Sequence, residues 1–316
     1  MNRLTILLAS ALAVLTSAAA AEPLKTALYV DKGCRGNGVL FWAELLRDSP
    51  DVDLKIVDGA DIRGGALDDR ELLVMPGGDG APQYKAMGDE GADRVRAFVA
   101  KGGKYFGTCC GFSIALNEVR RDRKRLRMLP FKNKPGKVRG GFTAKVRFGD
   151  EGARWLGLSE KERTWNVRYH NGPVVVRTDD VAACSNVEVL ATVQSELAQF
   201  GKMTDCMYGT PAAVRADYGA GRMLVFNCHP EMFPVTRPLV AAGIRALTGR
   251  EVRLVAQPLK PRGAERVAFV TTVLGSKRAV EEYFALRADP NVDVVPMTKT
   301  QLDEDWHGRF DRVVQP

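Results

Sequence analysis

The feature that most constrains the fold is a pair of adjacent cysteines between two glycines, in residues 107–111 (GTCCG). An apolar run typical of a strand, residues 104–106 (KYF), precedes the pentapeptide, and a helix is predicted to begin at residue 112. Gly-x-Cys-x-Gly between a strand and a helix is the thiol counterpart of a nucleophile elbow, and the helix N-terminus favours a thiolate. An inert buried cysteine beside a glycine turn is the alternative, and the pentapeptide alone does not separate the two.

Strands and helices alternate around this turn. Strands are predicted over residues 26–30, 52–57, 71–75 and 104–106, and helices over residues 39–47 and 89–101. This alternation predicts an α/β protein with a flavodoxin-like, open parallel sheet and helices on both faces.

A second motif supplies partners for the thiol. The chain has three histidines, and one of them follows a strand-like run in residues 222–231 (RMLVFNCHPE). A cysteine nucleophile needs a general base, and the base needs a group that orients it. We therefore predict Cys109 as the nucleophile, His229 as the base and Glu231 as the orienting carboxylate.

The order of these motifs resembles the class I glutamine amidotransferase-like superfamily over roughly residues 25–250. In that superfamily the elbow cysteine lies mid-domain and a His-x-Glu lies near the domain's end, the positions of Cys109, His229 and Glu231. The resemblance implies that Gly77 and Gly78 help to form an oxyanion hole, with the N–H of Cys110 as a further donor.

A narrower likeness is to the N-terminal domain of eukaryotic biotin–protein ligases, which has stand-alone and secreted bacterial relatives. It rests on four segments: 74–84 (VMPGGDGAPQY), 98–115 (FVAKGGKYFGTCCGFSIA), 169–175 (YHNGPVV) and 227–231 (NCHPE). The likeness places His170 near the pocket as a substrate-binding residue, with a structural turn as the alternative. No Gly-Arg-Gly-Arg-like biotinyl-adenylate loop is present, so biotin ligase activity is not implied.

Two functions remain open at this stage. The first is an exported hydrolase that uses Cys109, His229 and Glu231 on an amide or related acyl bond, through a thioester. The second is a non-catalytic binding module that keeps the fold and its thiol. The expected ligand is a small-molecule or peptide amide, with no metal and no cofactor. The net charge of +8 is not concentrated enough to indicate nucleic-acid binding, and the oligomeric state is not indicated.

One part of the chain is strongly basic. Residues 118–127 (EVRRDRKRLR) suit either a solvated hairpin face or a lip that attracts an anionic substrate.

Six cysteines in an exported chain suggest disulfides. Cys184 and Cys206 flank a β-rich segment and are the preferred pair. Cys34 follows the first strand and Cys228 adjoins His229, so both are expected near Cys109.

The chain divides into four predicted segments. They are a signal peptide (1–21), the amidotransferase-like domain (22–250), a linker (251–263) and a small β-α-β tail (264–316). The order of strands and helices in the tail is similar to that of residues 26–76, either as a partial repeat or by chance. It has no cysteine and is expected to be non-catalytic.

The signal peptide predicts export to the periplasm or beyond, with no stable membrane span after cleavage. Arg3, the apolar run 4–15 and Ala19-Ala20-Ala21 form the three regions of a secretory signal. N-terminal sequencing of the exported protein should therefore begin at Glu22. A protein that retains Met1, or that occurs only in the cytoplasm, would show this prediction to be wrong.

Overall fold

The computed structural model describes residues 22–118, 124–134, 140–195, 206–255, 260, 263–272, 274–303 and 307–316. The predicted signal peptide and residues 119–123 of the basic run lie outside this part. In the part that is described, no helix combines the length and apolarity needed to cross a bilayer.

A nine-stranded sheet forms the centre of the protein. Five parallel strands come first, in the order β2 (Val52–Val57), β1 (Leu24–Tyr29), β3 (Leu72–Met75), β4 (Lys104–Thr108) and β11 (Gly221–Phe226). Four antiparallel strands follow, namely β10 (Pro211–Tyr218), β9 (Cys184–Val193), β6 (Gly141–Phe148) and β7 (Thr164–His170). A separate antiparallel pair is formed by β5 (Phe131–Asn133) and β8 (Val175–Arg177). The predicted α/β class and parallel sheet are confirmed, and the antiparallel extension is an addition to them.

Six helices belong to this part of the chain. They are α1 (Asn37–Asp48), α2 (Gly59–Arg63), α3 (Gly80–Ala100), α4 (Cys110–Ala115), α5 (Asp150–Leu156) and α6 (Arg237–Thr248). Helix α3 begins nine residues before the predicted start at residue 89, with a break at Gly88, whose φ is 72°.

Helices cover both faces of the sheet, as the alternation of side chains along β4 shows. Phe106 packs edge-to-face on Trp42 of α1, with ring centroids 5.0 Å apart, and a Cβ at Gly243 of α6 would lie 2.9 Å from the same ring. Tyr105, on the opposite face, donates from its hydroxyl to the carbonyl oxygen of Gly111 in α4 at 2.6 Å. Helix α3 packs against α4 on that face.

The C-terminal tail forms a small sheet of its own. Its elements are β12 (Glu265–Val270), α7 (Lys277–Ala288), β13 (Val292–Met297), α8 (Lys299–Asp303) and β14 (Arg312–Val314). The strands are parallel in the order β13-β12-β14, which is the order of β2-β1-β3. The division of the chain at residue 250 and the repeat remain predictions.

The predicted Cys184–Cys206 disulfide is wrong, because the structure contains no disulfide between these two residues. Cys184 begins β9, whereas Cys206 lies near the other end of that ten-residue strand, where the N–H of Gly209 donates to the oxygen of Val193. A strand of this length spans roughly 30 Å. That separation is several times the Cα distance that a disulfide allows.

Candidate active site

The turn between β4 and α4 holds Cys109 in a strained backbone conformation. Its φ of 53° and ψ of −101° put a non-glycine residue at positive φ, which costs on the order of 1–3 kcal/mol. Two glycines make the turn possible. A Cβ at Gly107 would lie 2.7 Å from the backbone of Gly111, and a Cβ at Gly111 would lie 2.1 Å from the oxygen of Met75. The predicted nucleophile-elbow geometry is confirmed.

The parallel pairing of β4 with β11 brings the predicted triad together. Thr108 lies opposite Phe226, so both strands end at one edge of the sheet, and the N–H of Cys109 donates to the oxygen of Phe226 at 2.8 Å. Cys109 lies close enough to His229 to raise the pKa of its ring. Nδ1 of His229 lies 2.8 Å from Oε1 of Glu231, which leaves Nε2 for the sulfur.

Burial and charge act on His229 in opposite directions. The residue is 8% exposed, and burial alone lowers the pKa of its ring because it disfavours the imidazolium. The charges of Cys109 and Glu231, together with their hydrogen bonds, outweigh burial and hold the pKa of His229 well above its ordinary value. The ring therefore keeps its proton at neutral pH, the state that stabilises a neighbouring thiolate.

Glu231 is fully buried and is held by groups from β4 and α1. Oγ1 of Thr108 donates to its Oε1 at 3.4 Å, and Nε1 of Trp42 donates to Oγ1 of Thr108 at 3.1 Å. A Cβ at Gly38 would lie 2.7 Å from the same Oε1. Thr108, Trp42 and Gly38 thus position the carboxylate. Sequence analysis missed all three, and the only local signal was that Thr108 directly precedes Cys109.

The predicted oxyanion residues surround the elbow. Gly77 and Gly78 follow β3, and a Cβ at Gly77 would lie 2.7 Å from Cε1 of His229. Gly78 has a φ of 144°, and a Cβ there would lie 2.0 Å from the oxygen of Gly33. Cys110 is the first residue of α4, so its N–H has no acceptor within the helix. Within the described ranges the N–H of Gly78 also donates no hydrogen bond, so neither donor has an acceptor in this part of the protein.

The environment of the other thiols at this edge disfavours their reactive thiolate form. Sγ of Cys110 donates to Oε1 of Gln83 at 3.2 Å, and Nε2 of Gln83 lies 3.4 Å from Sγ of Cys34. Burial raises the pKa of Cys110 well above its ordinary value, raises that of Cys34 to about 12, and raises that of Cys228 too. As expected, Cys228 lies near Cys109. Cys34 is linked to Cys110 through Gln83. These three thiols stay protonated at neutral pH.

The end of β7 forms one wall of the site. The N–H of His229 donates to the oxygen of Arg168 at 2.7 Å, and Sγ of Cys109 lies 3.4 Å from the oxygen of His170. His170 therefore touches the nucleophile through its main chain, while the residue is exposed at the rim. Partial desolvation, Arg168 and His229 lower the pKa of His170, so its ring is neutral at neutral pH. Its role in substrate binding stays a prediction.

The family model for the N-terminal region of biotin–protein ligase matches residues 66–281, which is most of the chain. The chain belongs to this family. The match includes the elbow, His229 and Glu231, and it continues past the predicted linker into α7. No curated protein matches the sequence.

Three solved structures are similar to this biotin–protein ligase N-terminal domain at low identity. A ThuA-like protein from Bacteroides uniformis is 14% identical with a TM-score of 0.50, over 75% of this chain and 96% of its own. A cytoplasmic protein from Salmonella typhimurium is 12% identical with a TM-score of 0.45, over 71% and 98%. A β-galactosidase from Bacillus circulans is 15% identical with a TM-score of 0.47, over 77% of this chain and 33% of the enzyme. The family match confirms the amidotransferase-like superfamily. The likeness to the ThuA-like protein shows the fold alone, and none of the three solved structures bears on activity.

In this member of the biotin–protein ligase N-terminal family, the tail is connected to the triad. The hydroxyl of Tyr283 in α7 donates to the carboxylate of Glu44 in α1. Nη2 of Arg237 lies 3.3 Å from Oε2 of Glu44, and its Nε donates to the main-chain oxygen of Glu231 at 3.4 Å. The tail therefore supports the helix and the loop that hold the orienting carboxylate.

The close approach of Gly77 to His229 gives a testable prediction. Gly77→Ala should slow the alkylation of Cys109 by iodoacetamide at least tenfold, because displacement of a catalytic group by about 1 Å has effects of this size. The rate is measured at neutral pH by intact mass.

The matched control is Gly64→Ala, where a Cβ meets nothing closer than 3.4 Å and φ is −74°. It should label at the wild-type rate. Equal rates for the two variants would contradict the steric role of Gly77.

Proposed function

We propose that this protein is a cysteine hydrolase that cleaves an amide or related acyl bond through a thioester, with Cys109, His229 and Glu231 as its catalytic groups. The observation that carries the proposal is the buried His229, whose Nδ1 lies 2.8 Å from Oε1 of Glu231 and whose pKa is raised by the nearby Cys109. Such an arrangement suits a thiolate–imidazolium pair, which is the reactive form of a cysteine nucleophile.

The proposed reaction has two stages. The Cys109 thiolate attacks the carbonyl carbon, and the N–H groups of Gly78 and Cys110 stabilise the oxyanion. The tetrahedral species collapses to a thioester as His229 gives its proton to the leaving amine. Water then attacks the thioester, and His229 takes a proton from it. Collapse releases the acid and restores the thiolate.

A binding module without turnover is the second candidate. Cys109 is only 5% exposed, and its Sγ is engaged with the oxygen of His170 at 3.4 Å. That burial favours a thiol that serves packing rather than chemistry.

The proposed ligand is the amide of a small molecule or peptide. We also propose that the protein acts outside the cytoplasm, on the strength of the signal pattern in residues 1–21. Among the described residues, no group of three or more His, Cys, Asp or Glu side chains is placed to hold a metal.

Labelling with a glutamine-mimicking diazoketone, followed by turnover on an amide panel, tests the proposal. Cys109→Ala should abolish both, whereas Cys110→Ala should keep most of each because the backbone N–H survives. His229→Ala should lower turnover by about 10²–10⁴-fold through loss of the general base. Glu231→Gln should cost less, because the imidazole remains.

Two results would defeat the hydrolase proposal. One is a Cys109→Ala protein that labels at the wild-type rate. The other is a wild type whose reduced Cys109 labels no faster than a buried thiol and turns over no amide, and this result would favour the binding module.

A further inference from the structure

The end of β7 brings the main chain of two basic residues beside the catalytic groups. The carbonyl oxygens of Arg168 and His170 contact His229 and Cys109, respectively. Because these two residues are two apart on a strand, their side chains share one face, opposite to that of the buried Tyr169.

The two side chains converge over β6. A Cβ at Gly141, which pairs with His170, would lie 2.5 Å from Nη2 of Arg168 and 2.6 Å from Nδ1 of His170. The absence of a side chain at Gly141 therefore creates the space in which the guanidinium and the imidazole lie side by side.

The charge at this place is not balanced by the protein. Within the described ranges, the Arg168 guanidinium has no carboxylate partner and donates no hydrogen bond, although the residue is half-buried. The other half-buried arginines of the described ranges have acceptors. Arg63 donates to the main-chain oxygens of Ala86 and Met87. The rest contact carboxylates, namely Arg70, Arg96, Arg163, Arg215, Arg237, Arg245, Arg250 and Arg287. The charged neighbours that act on His170 are both basic, Arg168 and His229.

The basic run 118–127 is a weaker candidate for binding an anionic ligand. Nζ of Lys124 lies 2.7 Å from Asp89, and Arg125 lies 4.0 Å from Glu118. Both of these cations already have acidic neighbours, and Arg125 is buried rather than displayed on a solvated face.

We propose that Arg168, assisted by His170, binds a carboxylate group of the substrate, so that the acyl compound cleaved at Cys109 is anionic. The proposal rests on the proposed hydrolase function and adds the substrate class to it. An arginine suits this task because its planar guanidinium stays charged and pairs with both carboxylate oxygens. A half-buried cation gains most from a partner that arrives with the ligand, because the protein itself leaves it uncompensated.

Two alkylating reagents that differ in charge test the proposal on the reduced full-length protein. Iodoacetate carries a carboxylate and iodoacetamide is its neutral counterpart. In the wild type, the ratio of the iodoacetate rate to the iodoacetamide rate at Cys109 should be about tenfold higher than the same ratio for a small free thiol. The reason is that a hydrogen bond to a charged group contributes about 1.5–3 kcal/mol.

Variants assign that preference to a residue. Arg168→Gln should remove most of it, and Arg168→Lys should keep part of it. Arg147→Gln is the matched control, because Arg147 is exposed on the same β6–β7 ladder opposite Thr164, at the end away from Gly141. Arg147→Gln changes the net charge by the same amount as Arg168→Gln. It should leave the ratio of the two labelling rates within about twofold of the wild-type ratio, as expected for a distant exposed charge.

A second measurement needs no variant. Succinate should slow the iodoacetamide labelling of wild-type Cys109, and succinamide should not. A ratio unchanged in Arg168→Gln, or equal protection by succinate and succinamide, would overturn the carboxylate site while leaving the hydrolase proposal intact. A Cys109 that neither reagent labels would overturn both.

Discussion

The site depends on the parallel pairing of β4 with β11. Thr108 opposite Phe226 sets the register, and this register puts the elbow and the His229 loop at one edge of the sheet. A slip of one residue would move every side chain of a strand to the other face, and Thr108 would then no longer reach Glu231. The glycines at 107 and 111 allow α4 to approach this edge, so the pairing and the close helix together fix where Sγ of Cys109 lies.

Buried charges in the interior are compensated by other protein groups, whereas the charge of Arg168 at the rim is not compensated by the described residues. Glu231 is neutralised by the proton on His229, and removal of one member of such a buried pair leaves the other uncompensated, at roughly 3–5 kcal/mol. The network from Tyr283 through Glu44 and Arg237 extends this support from the tail. Arg168, at the mouth, has no such partner among the described residues, and this difference between interior and rim suggests that a ligand completes the charge there.

Local patterns predicted the parts of the site that depend on short segments. The elbow at Cys109 and the adjacent His229 and Glu231 are read from single runs of residues, and strand alternation correctly predicted the α/β sheet. Contacts across long sequence separations were not predictable. Trp42 is linked to Glu231 through Thr108, and Arg168 reaches the site because the end of β7 pairs with His229 in the loop after β11. The Cys184–Cys206 pairing failed for the same reason, since sequence proximity across a β-rich segment ignores the length of the strand between the two cysteines.

The most direct test of the central claim is the pH titration of the His229 ring by NMR. The chain has only three histidines, so the resonance is assigned with a His229→Gln variant. In the wild type its pKa should lie well above the ordinary value of about 6.5, because the charges of Cys109 and Glu231 outweigh burial. In Cys109→Ala the pKa should fall, because one of those charges is lost. A His229 that titrates near or below its ordinary pKa in both proteins would contradict the thiolate–imidazolium pair.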